Sequence, residues 1–172
     1  IDGFLERTVA AGATALVLTV DHPSIGNTLP FRRGLAGIAE RPAAPANFPD
    51  VPPGAALGTA TDLGPRDIER LRARTGLPVI VKGVLRPDDA RVAVDAGAAA
   101  VIVSNHGGRQ LAGSLTTAAA LPEVVKAVAG EVPVLVDGGI RRGDADGRAV
   151  ALGAAAVLVG RPAATALADG GA

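Results

Sequence analysis

Five short apolar runs constrain this chain more than any other feature. Each ends at a polar or charged residue and is followed, after a turn, by a helical pattern. The runs are 15–20 (ALVLTV), 78–82 (PVIVK), 99–104 (AAVIVS), 132–137 (VPVLVD) and 155–159 (AAVLV). They are continuous rather than alternating, which implies strands covered on both faces by helices. The intervening segments repeat apolar residues at helical spacing: 1–11 with Phe4, Leu5 and Val9, then 66–75, 88–96 after Pro87, 144–152 and 161–168. One more helix starts from a cap at Thr116 or Thr117 and runs through Leu121, Val124 and Val128. Gly12, Gly76, Gly97 and Gly153 follow four of these patterns as stops. Strands of this kind joined by helices form a parallel sheet with right-handed crossovers.

A repeat of roughly 20–35 residues per unit fits both a doubly wound sheet and a (β/α)8 barrel. The polar residues separate the two. Asp21, Lys82, Ser104-Asn105-His106, Asp137 and Gly160-Arg161 all fall at the C-terminal ends of strands. Chemistry delivered by five strands to one rim is the barrel arrangement, whereas a doubly wound sheet gathers its site at one switch point. The fold class is therefore read as α/β, a partial TIM (β/α)8 barrel of about five βα units. Residues 1–172 are taken as one domain with a long irregular loop at about 22–64, where Pro42, Pro45, Pro49, Pro52 and Pro53 block regular structure. A closed barrel needs about 250 residues. Five units alone leave two unpaired parallel edges, which call for further strands, a second copy or a truncated arrangement. The first residue is Ile1 rather than Met, which suggests a fragment, a processed chain or one domain of a longer protein.

Composition removes several classes of function. Seventeen basic residues balance seventeen acidic ones, which argues against a nucleic-acid or anionic-membrane partner. There is no cysteine, hence no disulfide and no thiolate chemistry, a composition compatible with the cytoplasm. No apolar run is long enough to span a bilayer, no signal-peptide pattern is present, and no metal site is assigned. With three Phe and no Trp, Tyr or Met, the core must be built from Ala, Val, Leu and Ile.

The richest segment is Ser104-Asn105-His106-Gly107-Gly108-Arg109-Gln110-Leu111. An imidazole titrates near neutrality and accepts a proton from an alcohol or an activated carbon. The planar fork of Arg109 matches a carboxylate. A base beside a carboxylate clamp points to a small carboxylic acid. An isolated H-G-G-R turn is more often a capping histidine with a surface arginine, by roughly two to one. Asp137-Gly138-Gly139-Ile140-Arg141-Arg142-Gly143 and Gly160-Arg161-Pro162 each follow a strand and open a helix. Free backbone N–H groups with arginines nearby suit a phosphate, and neighbouring units favour that over two solvated turns by roughly three to one. Lys82 at the rim suits a developing negative charge, such as that of a reduced flavin ring, or simply ends its strand. Asp21 suits the orientation of an imidazolium, or an Asx-turn before Pro23. His22 is read as a loop histidine without a partner.

Taken in order, LTVDHP, VIVKGV, VIVSNHGGRQL, VLVDGGIRRG and VLVGRP resemble the FMN-dependent α-hydroxy-acid oxidase/dehydrogenase family, which includes glycolate oxidase, lactate oxidase and mandelate dehydrogenase. The resemblance covers nearly the whole chain, from barrel strand four to strand eight. It implies FMN at the C-terminal rim. Thr19, Lys82 and Ser104 would contact the flavin ring or ribityl chain. Asp137, Gly138, Gly139, Ile140 and Arg141, with Gly160 and Arg161, would hold the ribityl and phosphate. His106 would be the base, Asp21 its partner and Arg109 the carboxylate site. The implied reaction oxidises an L-2-hydroxy acid to a 2-oxo acid, with electrons passing to oxygen, a quinone or a protein. The resemblance also suggests a homo-oligomer.

The chain departs from the family pattern in three ways. No arginine follows the strand-four Asp-x-Pro, where Ser24-Ile25-Gly26-Asn27-Thr28 stands. Ala112-Gly113 stands where the family has Asp-Gly. The family's substrate-binding tyrosines lie in the half not represented, and this chain has no tyrosine. The alternative reading is therefore a truncated, non-catalytic barrel fragment that binds FMN weakly or needs a partner. Another FMN or phosphate-binding barrel, of the isopentenyl-diphosphate isomerase or IMP dehydrogenase kind, fits less well, because His106 and Arg109 share one motif and the catalytic cysteine of the latter is missing.

Overall fold

A computed structural model of the chain describes residues 1–22, 48 and 60–170. Helix α1 spans Asp2–Ala10, strand β1 Leu16–Thr19, α2 Pro65–Thr75 and β2 Val79–Val84. These are followed by α3 Pro87–Asp95, β3 Ala100–Val103, a 3-10 turn His106–Gly108 and α4 Thr117–Val128. The chain closes with β4 Val134–Val136, α5 Gly143–Ala151, β5 Ala156–Val157 and α6 Arg161–Ala168. The strands form one parallel sheet in the order β1-β2-β3-β4-β5, so each unit docks beside its predecessor. Successive neighbours without a reversal of order give five consecutive units of a (β/α)8 barrel, not a doubly wound sheet.

Local sequence explains the element ends. Gly64 precedes Pro65, whose fixed φ suits the first helical turn, and the Gly64 N–H donates to Asp67 Oδ2 at 2.9 Å. Gly76 ends α2 in the left-handed conformation, φ 69°. Thr116 occupies the cap position of α4 but makes no side-chain cap bond. Thr117 is drawn instead to the next unit, its Oγ1 donating to the Gly138 carbonyl at 3.2 Å.

The core lies between the sheet and α2, α3, α4 and α5. Val79, Val101, Val103, Val124 and Val128 are fully buried, with Leu121 the largest such side chain. Ala90, Ala93 and Ala120 are buried among them, and their small volume lets aliphatic side chains fill the layer without aromatic residues. Burial on both faces holds throughout β3 but weakens outward. Val17 of β1 is 53% exposed, and Ala156 of β5 is also exposed. Among the described residues, β1 and β5 each have a strand on one side only. The loop expected at about 22–64 lies mostly outside the described residues, as do Ser24–Thr28.

Candidate active site

The C-terminal ends of the strands surround a cavity of about 1030 Å³, the size of a cofactor site rather than a surface dimple. Thr19, Lys82, His106, Arg109, Asp137, Gly138, Gly139, Ile140, Arg141, Gly160 and Arg161, all singled out in the sequence, line it. Ser104 and Asp21 do not line it but stand directly behind residues that do.

Ser104 ends the most buried strand and has no exposed surface. Its Oγ accepts from Lys82 Nζ at 2.8 Å and from the His106 N–H at 3.1 Å. It therefore ties the histidine loop to the lysine, rather than standing in the cavity wall. Lys82 Nζ also lies 3.0 Å from Asp137 Oδ2, and both side chains are only 17% exposed. The other oxygen, Asp137 Oδ1, is buried with no hydrogen-bond partner among the described residues. A buried carboxylate oxygen needs a donor, so Asp137 has capacity for a hydroxyl.

His106 sits with φ 55°, a left-handed conformation unusual for a side-chain-bearing residue. The turn that holds it is closed by Asn105, whose Oδ1 accepts from the Gly108 N–H at 3.2 Å and whose Nδ2 donates to the Leu115 carbonyl at 3.3 Å. Asp21 Oδ1 lies 3.1 Å from His106 Nδ1, and both side chains are largely shielded. A carboxylate only accepts, so this contact places a hydrogen on Nδ1. His22 is not the isolated loop histidine that the sequence suggested. Its ring lies 5.5 Å from that of His106, tilted by 45°. Position alone, directly after Asp21, was the signal available for it.

Arg109 is exposed beside the cavity, with Nε donating to the His106 carbonyl at 3.3 Å. Arg161 starts α6, and its Nη2 donates to the Gly107 carbonyl at 2.8 Å. Lys82, Arg109, Arg141 and Arg161 give the lining four basic side chains against the acidic Asp137 and Asp169. Helix α6 begins here, at Gly160, Arg161 and Pro162, without a side-chain cap. Its N-terminus, with Arg141 and Arg161, makes an anion end. Gly138 and Gly139 line the cavity with φ 86° and 79°, and a Cβ on Gly138 would meet Asn105 Oδ1 at 3.1 Å and Thr117 Oγ1 at 3.4 Å. No group of three or more His, Cys, Asp or Glu suited to a metal occurs among the described residues.

A model of the family described as FMN-dependent dehydrogenase matches residues 1–172. The chain belongs to the FMN-dependent dehydrogenase family. Its curated relatives include an L-lactate oxidase of Nostoc sp., 46% identical over 97% of this chain and 49% of the relative. A 4-hydroxymandelate oxidase of Amycolatopsis orientalis is 46% identical over 97% of this chain and 50% of its own length. Among solved structures, mandelate oxidase with 3,3-difluoro-2-hydroxy-3-phenylpropionic acid superposes with TM-score 0.80 at 46% identity, covering 99% of this chain and 48% of that one. The chain thus spans about half the length of the family members it matches. The barrel assignment and the family expected from the motifs agree with these matches.

The cavity fits FMN by the chemistry of its donors. A phosphate matches the anion end, a ribityl hydroxyl matches the orphaned Asp137 Oδ1, and an electron-rich ring edge matches Lys82. No helix among the described residues is long and apolar enough to cross a membrane.

Proposed function

We propose that this chain forms the C-terminal half-site of an FMN-dependent enzyme that oxidises an L-2-hydroxy acid to a 2-oxo acid. The observation that carries the reading is the Asp21–His106 pair, set beside Arg109 on the wall of a cavity whose far end suits a phosphate. Asp21 holds Nδ1–H, so His106 presents Nε2 to the substrate and takes the proton there, from hydroxyl or carbon. Arg109 binds the carboxylate and sets which hydrogen faces the base. Lys82 stands where negative charge develops, with Ser104 and Asp137 fixing its amine. Asp137, Gly138, Gly139, Ile140 and Arg141 would hold the ribityl side, Gly160 and Arg161 the phosphate, and Thr19 the ring. Bound FMN would supply the two-electron acceptor, with oxygen, a quinone or a protein as the final acceptor.

Residues 1–172 are proposed as one domain that works with further strands or in a homo-oligomer. The absence of cysteine fits the cytoplasm, whereas plant relatives are named peroxisomal. A second reading, a flavin-binding fragment without turnover, is favoured by the one-sided pairing of β1 and β5 among the described residues and by the lack of tyrosine.

The test is an FMN titration followed by anaerobic addition of glycolate, lactate or mandelate. Binding and bleaching of the flavin by one of the acids supports the catalytic reading. Binding without bleaching by any of them supports the fragment reading, and no binding by residues 1–172 alone would mean that the chemistry needs the further strands.

A further inference from the structure

Gly83 occupies the place where the register of the sheet changes. Lys82 pairs with Ile102 and Val84 with Val103, so β2 carries one residue more than β3 at this point. Gly83 is that residue, with φ 109°, a conformation that side-chain-bearing residues rarely adopt. Strand periodicity would put Ile80, Lys82 and Val84 on one face. Instead Val84 is buried with Val79 and Val81 in the helix-side core, while Lys82 lines the cavity. The bulge reverses the alternation just after the lysine.

The space beside Gly83 is filled by Asp21. A Cβ built on Gly83 would lie 2.6 Å from Asp21 Cβ, 2.7 Å from its Cγ and 2.8 Å from its backbone nitrogen. Carbon atoms pack at about 3.5–4.0 Å, so no side chain fits at 83 while Asp21 stays. Asp21 cannot give way freely either. The preceding Val20 N–H donates to the Lys82 carbonyl at 2.8 Å. Its Oδ1 is engaged with His106, and its Oδ2 is buried.

We propose that Gly83 is a positioning residue, whose bare Cα is the seat that lets the Asp21 carboxylate reach His106 Nδ1. The inference rests on His106 as the base. Gly83 touches neither substrate nor cofactor and acts through Asp21 alone.

The test is Gly83→Ala in the natural full-length protein, with the imidazole nitrogens of His106 read by ¹⁵N NMR at neutral pH, which requires no turnover. In the parent protein Nδ1 should carry the hydrogen. In Gly83→Ala that preference should be lost, as in Asp21→Asn, and kcat should fall by about 10–100-fold with KM changed far less. Retention of the parent tautomer and kcat in Gly83→Ala overturns the proposal. Should Gly83→Ala fold poorly, its cost in thermal midpoint is compared in the parent and in an Asp21→Gly background. A smaller cost without the Asp21 side chain supports the seat. An equal cost means that only the backbone angle matters, and overturns it. Failure of the functional reading would show separately, as absence of flavin bleaching in the parent.

Discussion

Lys82 on the second strand reaches Asp137 at the end of the fourth, Nζ to Oδ2 3.0 Å, across Ser104 at the end of the third. Adjacent strands lie about 4.8 Å apart, so the long lysine side chain spans two strand spacings, passing Ser104 on the way. Largely shielded from water, each charge depends on the other. Lys82→Met should leave the Asp137 carboxylate without its cation and cost about 1–3 kcal/mol in denaturant unfolding. Adding Asp137→Asn to Lys82→Met should recover part of that loss. A double variant less stable than Lys82→Met would contradict the pairing.

Arg161 joins two parts of the candidate site, since its Nη2 holds the Gly107 carbonyl at 2.8 Å while its backbone starts the uncapped helix α6. If the anion end receives the FMN phosphate, Arg161→Met should weaken FMN by about 10–100-fold, the scale of one charge-assisted hydrogen bond. Riboflavin, which lacks the phosphate, should bind both proteins alike. Fluorescence quenching titrations with the two flavins check this. Equal weakening of both would assign Arg161 to the histidine loop instead.

His106→Gln should keep flavin binding near that of the parent while lowering the rate of anaerobic flavin reduction by about 10²–10⁴-fold. Arg109→Met should act mainly on the hydroxy acid, raising the concentration needed for half-maximal reduction. Stopped-flow reduction against substrate concentration separates the two roles. A His106→Gln protein that reduces its flavin at the parent rate would remove the base assignment.

The barrel units were legible because each strand is an apolar run with its polar residue at the end, and every helix carries its own period. Lys82 and Asp137 could be assigned to the rim one at a time, but not to each other. Their contact skips a strand, and no local pattern encodes that. Ser104 was singled out as a rim residue, but its bonds to Lys82 Nζ and to the His106 N–H were not legible, because one partner lies on another strand. The bulge at Gly83 was hidden for the same reason. The apolar run was read as ending at Lys82, and only the pairing with β3 shows that the strand continues to Val84 with one residue extra. His22 was misjudged because its neighbour, His106, is distant in sequence and arrives through the parallel pairing of β1, β2 and β3.

Leu121 packs from α4 into the layer formed by valines of β2, β3 and β4, and it is 1% exposed. Among the described residues, no aromatic side chain belongs to this core cluster. Leu121→Ala should therefore cost about 2–5 kcal/mol, with the denaturant slope unchanged. A loss well under 1 kcal/mol would mean that the helix relaxes onto the sheet.

Arg91 of α3 grips Glu131, just beyond α4, with two hydrogen bonds of 2.6 and 3.1 Å, while its Nε donates to Asp95 at 3.0 Å. The hydrogen bond from Arg91 holds the Glu131 carboxyl below its ordinary value, against a weaker opposing effect of desolvation. A carboxyl whose folded value is depressed contributes stability above its unfolded value and loses it as pH falls through the folded one. The pair is exposed, so salt screens it and its contribution is small. Glu131→Gln, nearly isosteric, should lower the thermal midpoint slightly at neutral pH and low salt. The gap to the parent should narrow as acid protonates Glu131, because the parent then also carries an uncharged side chain. It should narrow likewise at about 1 M salt, where the screening length falls to about 3 Å. A gap that stays constant from neutral pH into the acid range would mean that the side chain matters by shape alone, and that the ion pair between α3 and the α4–β4 turn contributes nothing.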